Sequence, residues 1–349
     1  MKIVAGLGCI DDYIRLVKAG ADEVFAGFVP YDWNKKYGTL FPLNRREVLY
    51  YNVQINSIED MKILKKMMDV YKVPVTITFN YLYYLEEQYE IIADTIKELI
   101  NIGFYEFIVA DIALLQYLKK KNIKCSIHLS GECAEINRLS IDFLNQFNID
   151  RYIFHRKNTI EDMKSCIENN KVKNLEYEAF ILNERCHYTG AFCSSLHCDE
   201  LAHICQLQYT MAKVNKETNH FKAVDDKFKR YYGDDEGDSE EYTLDNHLED
   251  YDADESYKYI LGASGCGICA LKKLKRAGVT HLKVVGRGNS IDNMEKDIQG
   301  LKRALNILER TDNDKSSGNK TICLDNDISF EKNINEEMFE GKCSKECYY

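Results

Sequence analysis

The sequence predicts an α/β fold, a (β/α)8 TIM-type barrel with a cysteine-rich insertion between its seventh and eighth strands. Three observations carry this reading. Short apolar runs alternate with amphipathic runs, the pattern of parallel βαβ units. The alternation repeats eight times, the number that closes a barrel. The chain has 349 residues and 45% hydrophobic content, enough for one large core.

Lys2–Gly8 (KIVAGLG) is the first strand candidate, and Cys9–Ala19 follows as a helix with Ile10, Tyr13, Ile14 and Val17 on one face. Gly20 ends that helix. Glu23–Phe28 is the second strand. Residues 29–56, with Trp33 and the NRRE run at 44–47, read as a long loop with short pieces of structure, a kind of segment that is often functional. Ser57 is the expected cap of a helix reaching Tyr71. The remaining strands are expected near 73–80, 106–111, 124–130, 151–156, 175–182 and 281–286. Helices are expected near 86–102, 112–120, 134–147, 159–169, 270–277 and 290–308, with Thr159 as an N-cap. The barrel domain thus covers 1–308, and the polar segment 309–349, holding Cys323, Cys343 and Cys347, reads as a flexible tail.

The insertion, 183–269, holds most of the chemistry. Cys186, Cys193, Cys198 and Cys205 are interleaved with His187, His197 and His203, and GASGCGICAL adds Cys266 and Cys269 as a CxxC. Six of thirteen cysteines therefore fall in two short clusters, whereas cysteines that serve as small core hydrophobes scatter, as Cys9, Cys125, Cys133 and Cys166 do. Clustered thiolates are soft ligands suited to zinc or an iron–sulfur cluster. A zinc ribbon usually has two CxxC pairs; the single pair and irregular spacing here favour a cluster held from separate loops. Disulfides are the competing reading, but the opening MKIVAGLG has no apolar signal region, and a cytoplasmic location is expected, where thiols stay reduced.

Formal net charge is −10, and twelve Asp and Glu with no Lys or Arg lie between Asp234 and Glu255, inside an acidic insertion spanning 210–257. So many like charges read as a flexible loop. The balance favours a small-molecule or peptide substrate over a large RNA, and no apolar run approaches the roughly 18 residues of a membrane span. Polar residues closing the strands would line one mouth of the barrel: Asn80, Asp111, His128, Glu132, His155, Arg156 and Arg287. Asp111 could instead cap the next helix, and His128 could be a core histidine. Arg156 and Arg287 together suit a carboxylate or phosphate. GRGN at 286–289 lacks the third glycine of a phosphate loop, and there is no GxSxG or HExxH.

Glu178, Phe180, Cys186 and Cys193, with six residues between the cysteines, resemble the signature E-x-F-x-x-G-[SA]-hydrophobic-C-x4-G-x-C of the peptidase U32 family. The chain departs from it at Asn183, Glu184 and Arg185, and its glycine, Gly190, falls one position early. LVKAGADEVFAGF near the start and AGVTHLKVVGR near the end are similar to the family's first and last barrel turns, so the resemblance spans roughly 1–305. It implies an iron–sulfur protein supporting oxygen-independent hydroxylation of a small-molecule, peptide or RNA substrate, with prephenate as oxygen donor. It further implies a [4Fe–4S] cluster on Cys186, Cys193, Cys205 and Cys266, with Cys198 and Cys269 in reserve and zinc as the alternative metal. Arg156, Arg287, His128 and Asp111 are the catalytic candidates. Two other readings remain: a metal- or cysteine-dependent peptidase, and a non-catalytic iron–sulfur partner in a hetero- or homo-oligomer.

Overall fold

The computed structural model describes residues 1–38, 41–46, 53–133, 136–172, 174–186, 259–313, 325–341 and 343–349, and the backbone of two short strands at 212–214 and 221–223. The strands in chain order are β1 (Lys2–Leu7), β2 (Glu23–Phe28), β3 (Gln54–Ile55), β4 (Val75–Phe79), β5 (Glu106–Val109), β6 (Ser126–Leu129), β7 (Ile149–Ile153), β8 (Glu176–Leu182), β9 (Ala212–Val214), β10 (Phe221–Ala223) and β11 (His281–Val284). β1 pairs with both β2 and β11, so β1, β2, β4, β5, β6, β7, β8 and β11 close a ring. Every pairing in it is parallel. The expected eight-stranded barrel is therefore present. β3 is an addition, hung on the end of β2 through Gly27 and Phe28. β9 and β10 form an antiparallel pair within a separate compact unit, Ile204–Tyr259.

The helices are α1 (Tyr13–Ala19), α2 (Tyr31–Tyr37), α3 (Ile58–Tyr71), α4 (Gln88–Ile102), α5 (Ile112–Lys120), α6 (Arg138–Leu144), α7 (Ile160–Glu168), α8 (Leu271–Ala277), α9 (Ile291–Asn313) and α10 (Asp325–Met338). Local chemistry sets their ends. The Ser57 hydroxyl accepts the Asp60 N–H at the start of α3, and Thr159 with Asp162 forms a reciprocal capping box on α7. Gly103 closes α4 at φ 116°, a left-handed conformation that costs glycine nothing. The helices bury Leu16, Met61, Leu64, Ile92, Ile96, Leu114, Met163 and Leu274 against the outward faces of the strands. No helix among the described residues is long and apolar enough to cross a membrane.

The segment 309–349 differs from the expected tail. α9 runs on to Asn313, and α10 buries Phe330 and Ile334 completely. Residues 343–349 then pair with the chain around Cys266. A few apolar side chains at helical spacing fix this segment, although its average composition is polar. The acidic run 234–255 lies outside the described residues.

Candidate active site at the barrel mouth

The two-residue period of the strands builds the barrel interior in layers. In the deepest, Arg151 of β7 pairs with Glu23 at 2.7 Å, Glu176 at 2.6 Å and Glu178 at 3.0 Å. His281 meets Glu23 at 3.1 Å, and Lys283 donates to Glu178 at 2.7 Å. Burial pushes the Glu178 carboxyl up, but the charges of Lys283 and Arg151 outweigh it and hold the group at about 2. His128 lies within reach of the same charges. Burial, reinforced by Arg151, lowers its imidazole to about 3, so it is neutral at pH 7, and its Nδ1 has no partner among the described residues.

Over this floor lies an apolar band of Val4, Phe25, Ile108, Ile153, Phe180 and Val285. A cavity, partly open to solvent, begins there and opens at the C-terminal ends of the strands. Its described lining carries five cationic side chains, Arg45, Arg46, Arg156, Lys283 and Arg287, against the carboxylates of Glu132 and Glu184. The Arg156 guanidinium lies 3.9 Å from the Phe180 ring centroid and donates from Nη1 to Glu132 at 3.0 Å. Its Nε is buried without a partner among the described residues. Arg45 approaches the other Glu132 oxygen at 3.5 Å, and Arg46 pairs with Glu184. Arg287 donates to the Thr78 hydroxyl and the Arg46 carbonyl, each at 3.3 Å. Two glycines make room for it. A Cβ on Gly27 would overlap the Arg287 guanidinium, and one on Gly6 would stand 3.1 Å from the Arg287 amide.

Beyond β8 the chain leaves the barrel paired with the loop before α8: the Asn183 N–H donates to the Gly265 carbonyl and the Arg185 N–H to the Ser264 carbonyl. Cys186 follows, within electrostatic reach of Arg156 and Tyr348. Tyr348 packs on the apolar band and donates to the Asn183 carbonyl. Burial pushes its phenol up to about 12 although the Arg156 charge pulls the other way. Tyr349 donates to the Phe180 carbonyl at 2.8 Å.

The expected residues are thus divided. Arg156 and Arg287 line the cavity, with Asn80 and Glu132 beside them. His128 and Asp111 do not. His128 sits one layer deeper than Ser130. Asp111 turns back on α5, accepting the Ala113 N–H at 2.9 Å, and also accepts the hydroxyl of Tyr89 from α4 at 2.8 Å. His155 is also turned aside, its Nδ1 accepting the Lys157 N–H. Cys193, Cys198 and Cys205 lie outside the described residues. Cys266 has Cys269, Cys343 and Cys347 as its electrostatic neighbours. Arg45, Arg46, Lys283, Glu184 and Tyr348 were not expected in the site. The signals available were the paired arginines of NRRE and a lysine inside the apolar HLKVVG strand.

Among solved structures, the U32 peptidase Mk0906 is 12% identical with a TM-score of 0.41, covering 55% of this chain and 73% of its own. The putative copper homeostasis protein CutC from Streptococcus agalactiae is 14% identical with a TM-score of 0.38, covering 52% and 88%. Dihydrodipicolinate synthase from Bacillus clausii is 8% identical with a TM-score of 0.42, covering 99% and 82%. No curated protein matches in sequence. The model of peptidase family U32 matches residues 9–346, nearly the whole chain, including every strand of the ring but β1, and on that match the chain belongs to peptidase family U32.

Proposed function

We propose that this protein is an iron–sulfur-dependent enzyme that binds an anionic small molecule in the barrel mouth and supports oxygen-independent hydroxylation of its substrate. The observation that carries this reading is the cationic wall over an apolar floor, with a thiol, Cys186, within electrostatic reach of Arg156. Cys186, Cys193 and Cys205 would hold a [4Fe–4S] cluster, with Cys266 or Cys198 as the fourth ligand; zinc is the alternative occupant. A soft metal fits the donors, because clustered cysteines supply soft thiolate ligands. Bound there, the cluster supplies electron transfer, or a Lewis-acidic iron if one site is left open.

The side chains divide the remaining work. Arg156, whose Nε has no partner among the described residues, and Arg287, seated in its glycine cradle, bind carboxylates of the anion. Phe25 and Phe180 cover its carbon skeleton and keep water from the reacting face. Tyr348 closes the wall as a neutral phenol. Prephenate, with two carboxylates, matches two arginines and is the proposed oxygen donor. Peptide hydrolysis has less support. Ser130 is the serine of the described lining, its Oγ accepts the Glu132 N–H, and no histidine stands in that lining to activate it.

The test is purification without oxygen, followed by iron, sulfide and zinc analysis and an absorption spectrum. About four iron and four sulfide per chain are expected, lost in Cys186→Ser. Arg156→Ala and Arg287→Ala should keep the iron and weaken prephenate binding by about 10- to 150-fold, the range for a lost charged hydrogen bond of about 1.5–3 kcal/mol. Protein free of iron and sulfide under these conditions overturns the reading.

A further inference from the structure

The thiols around Cys266 are not accounted for by the mouth site. Cys266 lies in a parallel bridge with Cys347; its N–H donates to the Glu346 carbonyl and its carbonyl accepts the Tyr348 N–H, both at 2.8 Å. Such pairing sets the two backbones about 4.8 Å apart with both side chains on one face. Cys269 follows on a short 3-10 turn, Ile268–Ala270, and Cys343 precedes Cys347 by four residues. CxxC and CxxxC are both spacings at which one chain offers two sulfurs to one ion. Three glycines let the strands converge. A Cβ on Gly262 would stand 3.0 Å from the Cys266 sulfur, one on Gly265 would stand 3.1 Å from the Tyr348 ring, and one on Gly267 3.2 Å from the Tyr349 ring. Cys269, Cys343 and Cys347 all lie within electrostatic reach of Cys266.

We propose that Cys266, Cys269, Cys343 and Cys347 form a second thiolate site, which takes one tetrahedral ion of the zinc or iron(II) type and pins residues 343–349 over the barrel mouth. Among the described residues no three such ligands are already gathered at coordination distance. Closing the set asks for sulfurs about 3.7 Å apart around metal–sulfur bonds of about 2.3 Å, and the bridge between Cys266 and Cys347 already sets two of the four residues side by side. The site is separate from the proposed cluster and takes Cys266 out of its ligand set, leaving Cys198 as the fourth ligand there. It gives the ion a structural role at the active face. The Ser344 hydroxyl donates to the Gly262 carbonyl at 2.8 Å, and the segment then carries Tyr348 and Tyr349 to the barrel. Loss of the ion would release both tyrosines.

The experiment uses the full chain purified without oxygen. Metal content is measured for the wild type, for Cys343→Ser/Cys347→Ser and for Cys186→Ser, with cobalt(II) titration of the chelated proteins as a spectroscopic count of thiolates. The double variant is expected to lose one equivalent of zinc or iron and the intense sulfur-to-cobalt band, with sulfide unchanged. Cys186→Ser should lose sulfide and keep that equivalent, so failure of the cluster reading and failure of this one are told apart. Should the double variant not fold, the wild type decides: alkylation and mass spectrometry should find these four cysteines protected with metal and labelled after chelation. Equal labelling with and without chelator overturns the proposal. So does an unchanged cobalt band in a folded double variant, or a Cys266–Cys347 disulfide in the anaerobic protein.

Discussion

Phe330→Ala tests whether the segment after the barrel is part of the folded unit. Phe330 is 0% exposed on α10, with Ile334 one turn later also fully buried. Removing a buried phenylalanine ring forfeits its transfer free energy and leaves a cavity, together about 3–5 kcal/mol. At about 2 °C per kcal/mol for a domain of this size, the melting temperature should fall by about 6–10 °C. Lys332→Ala is the control, since its side chain is 70% exposed and surface changes of this kind stay within about 0.5 kcal/mol. The assay is urea unfolding followed by circular dichroism, with thermal melts alongside. If Phe330→Ala unfolds within about 0.5 kcal/mol of the wild type, the packing described for α10 is wrong and the segment is the solvated tail its composition suggests.

Three other outcomes follow from the barrel interior and the insertion. Glu178 ionises at about 2 in the fold against an ordinary 4.5, so the stability it contributes is present above pH 4.5 and is lost as pH falls toward 2. Glu178→Gln should therefore cost about 3 kcal/mol at pH 7 and progressively less across that window; a cost independent of pH in urea titrations contradicts the assignment. Gly27→Ala should displace the Arg287 guanidinium and weaken prephenate binding about 10-fold or more, while overpacking lowers stability by only about 1–3 kcal/mol; isothermal titration showing wild-type affinity would break the link between cradle and site. Deleting 234–255, which lies outside the described residues, should leave the melting temperature unchanged, and loss of folding would show that the acidic run is needed.

The barrel was legible because its signals are local. Apolar runs mark the strands, and Ser57, Thr159, Gly20 and Gly103 mark helix ends within a few residues of where they act. The interior was less legible because it depends on the phase of alternation in each strand and on partners far along the chain. Arg151 meets Glu23 from the opposite side of the ring, and nothing near either residue announces the other. The same limit explains the mixed outcome at the mouth. A polar residue at a strand end turns inward or outward by one step of the pleat: Arg156 and Arg287 turned in, whereas Asp111 and His155 turned to local backbone N–H groups. Arg45 and Arg46 lie in a segment without periodicity, and only the closed ring brings them beside Glu132 and Glu184. Cys343 and Cys347 looked incidental because the segment they pack beside, around Cys266, lies more than seventy residues upstream.

The charges inside the barrel are unevenly distributed, and that unevenness argues for the mouth as the binding end. At the floor, Lys2, Arg151 and Lys283 are matched by Glu23, Glu176 and Glu178 through contacts of 3.0 Å or less. Each cation of that layer is already paired, so it offers an incoming anion little. At the mouth, four arginines face two glutamates among the described lining, over aromatic rings that exclude water. In such surroundings a charge acts over a longer distance than in solvent and is less screened by salt. Lys283 joins the two layers, with its ammonium on Glu178 and 3.8 Å from the Phe25 ring centroid that floors the cavity. An anion entering the cavity would therefore meet fixed positive charge from the walls and a lysine already committed below. The field draws a carboxylate to the arginines at the rim and leaves the ion-paired floor to hold the ring of strands in register.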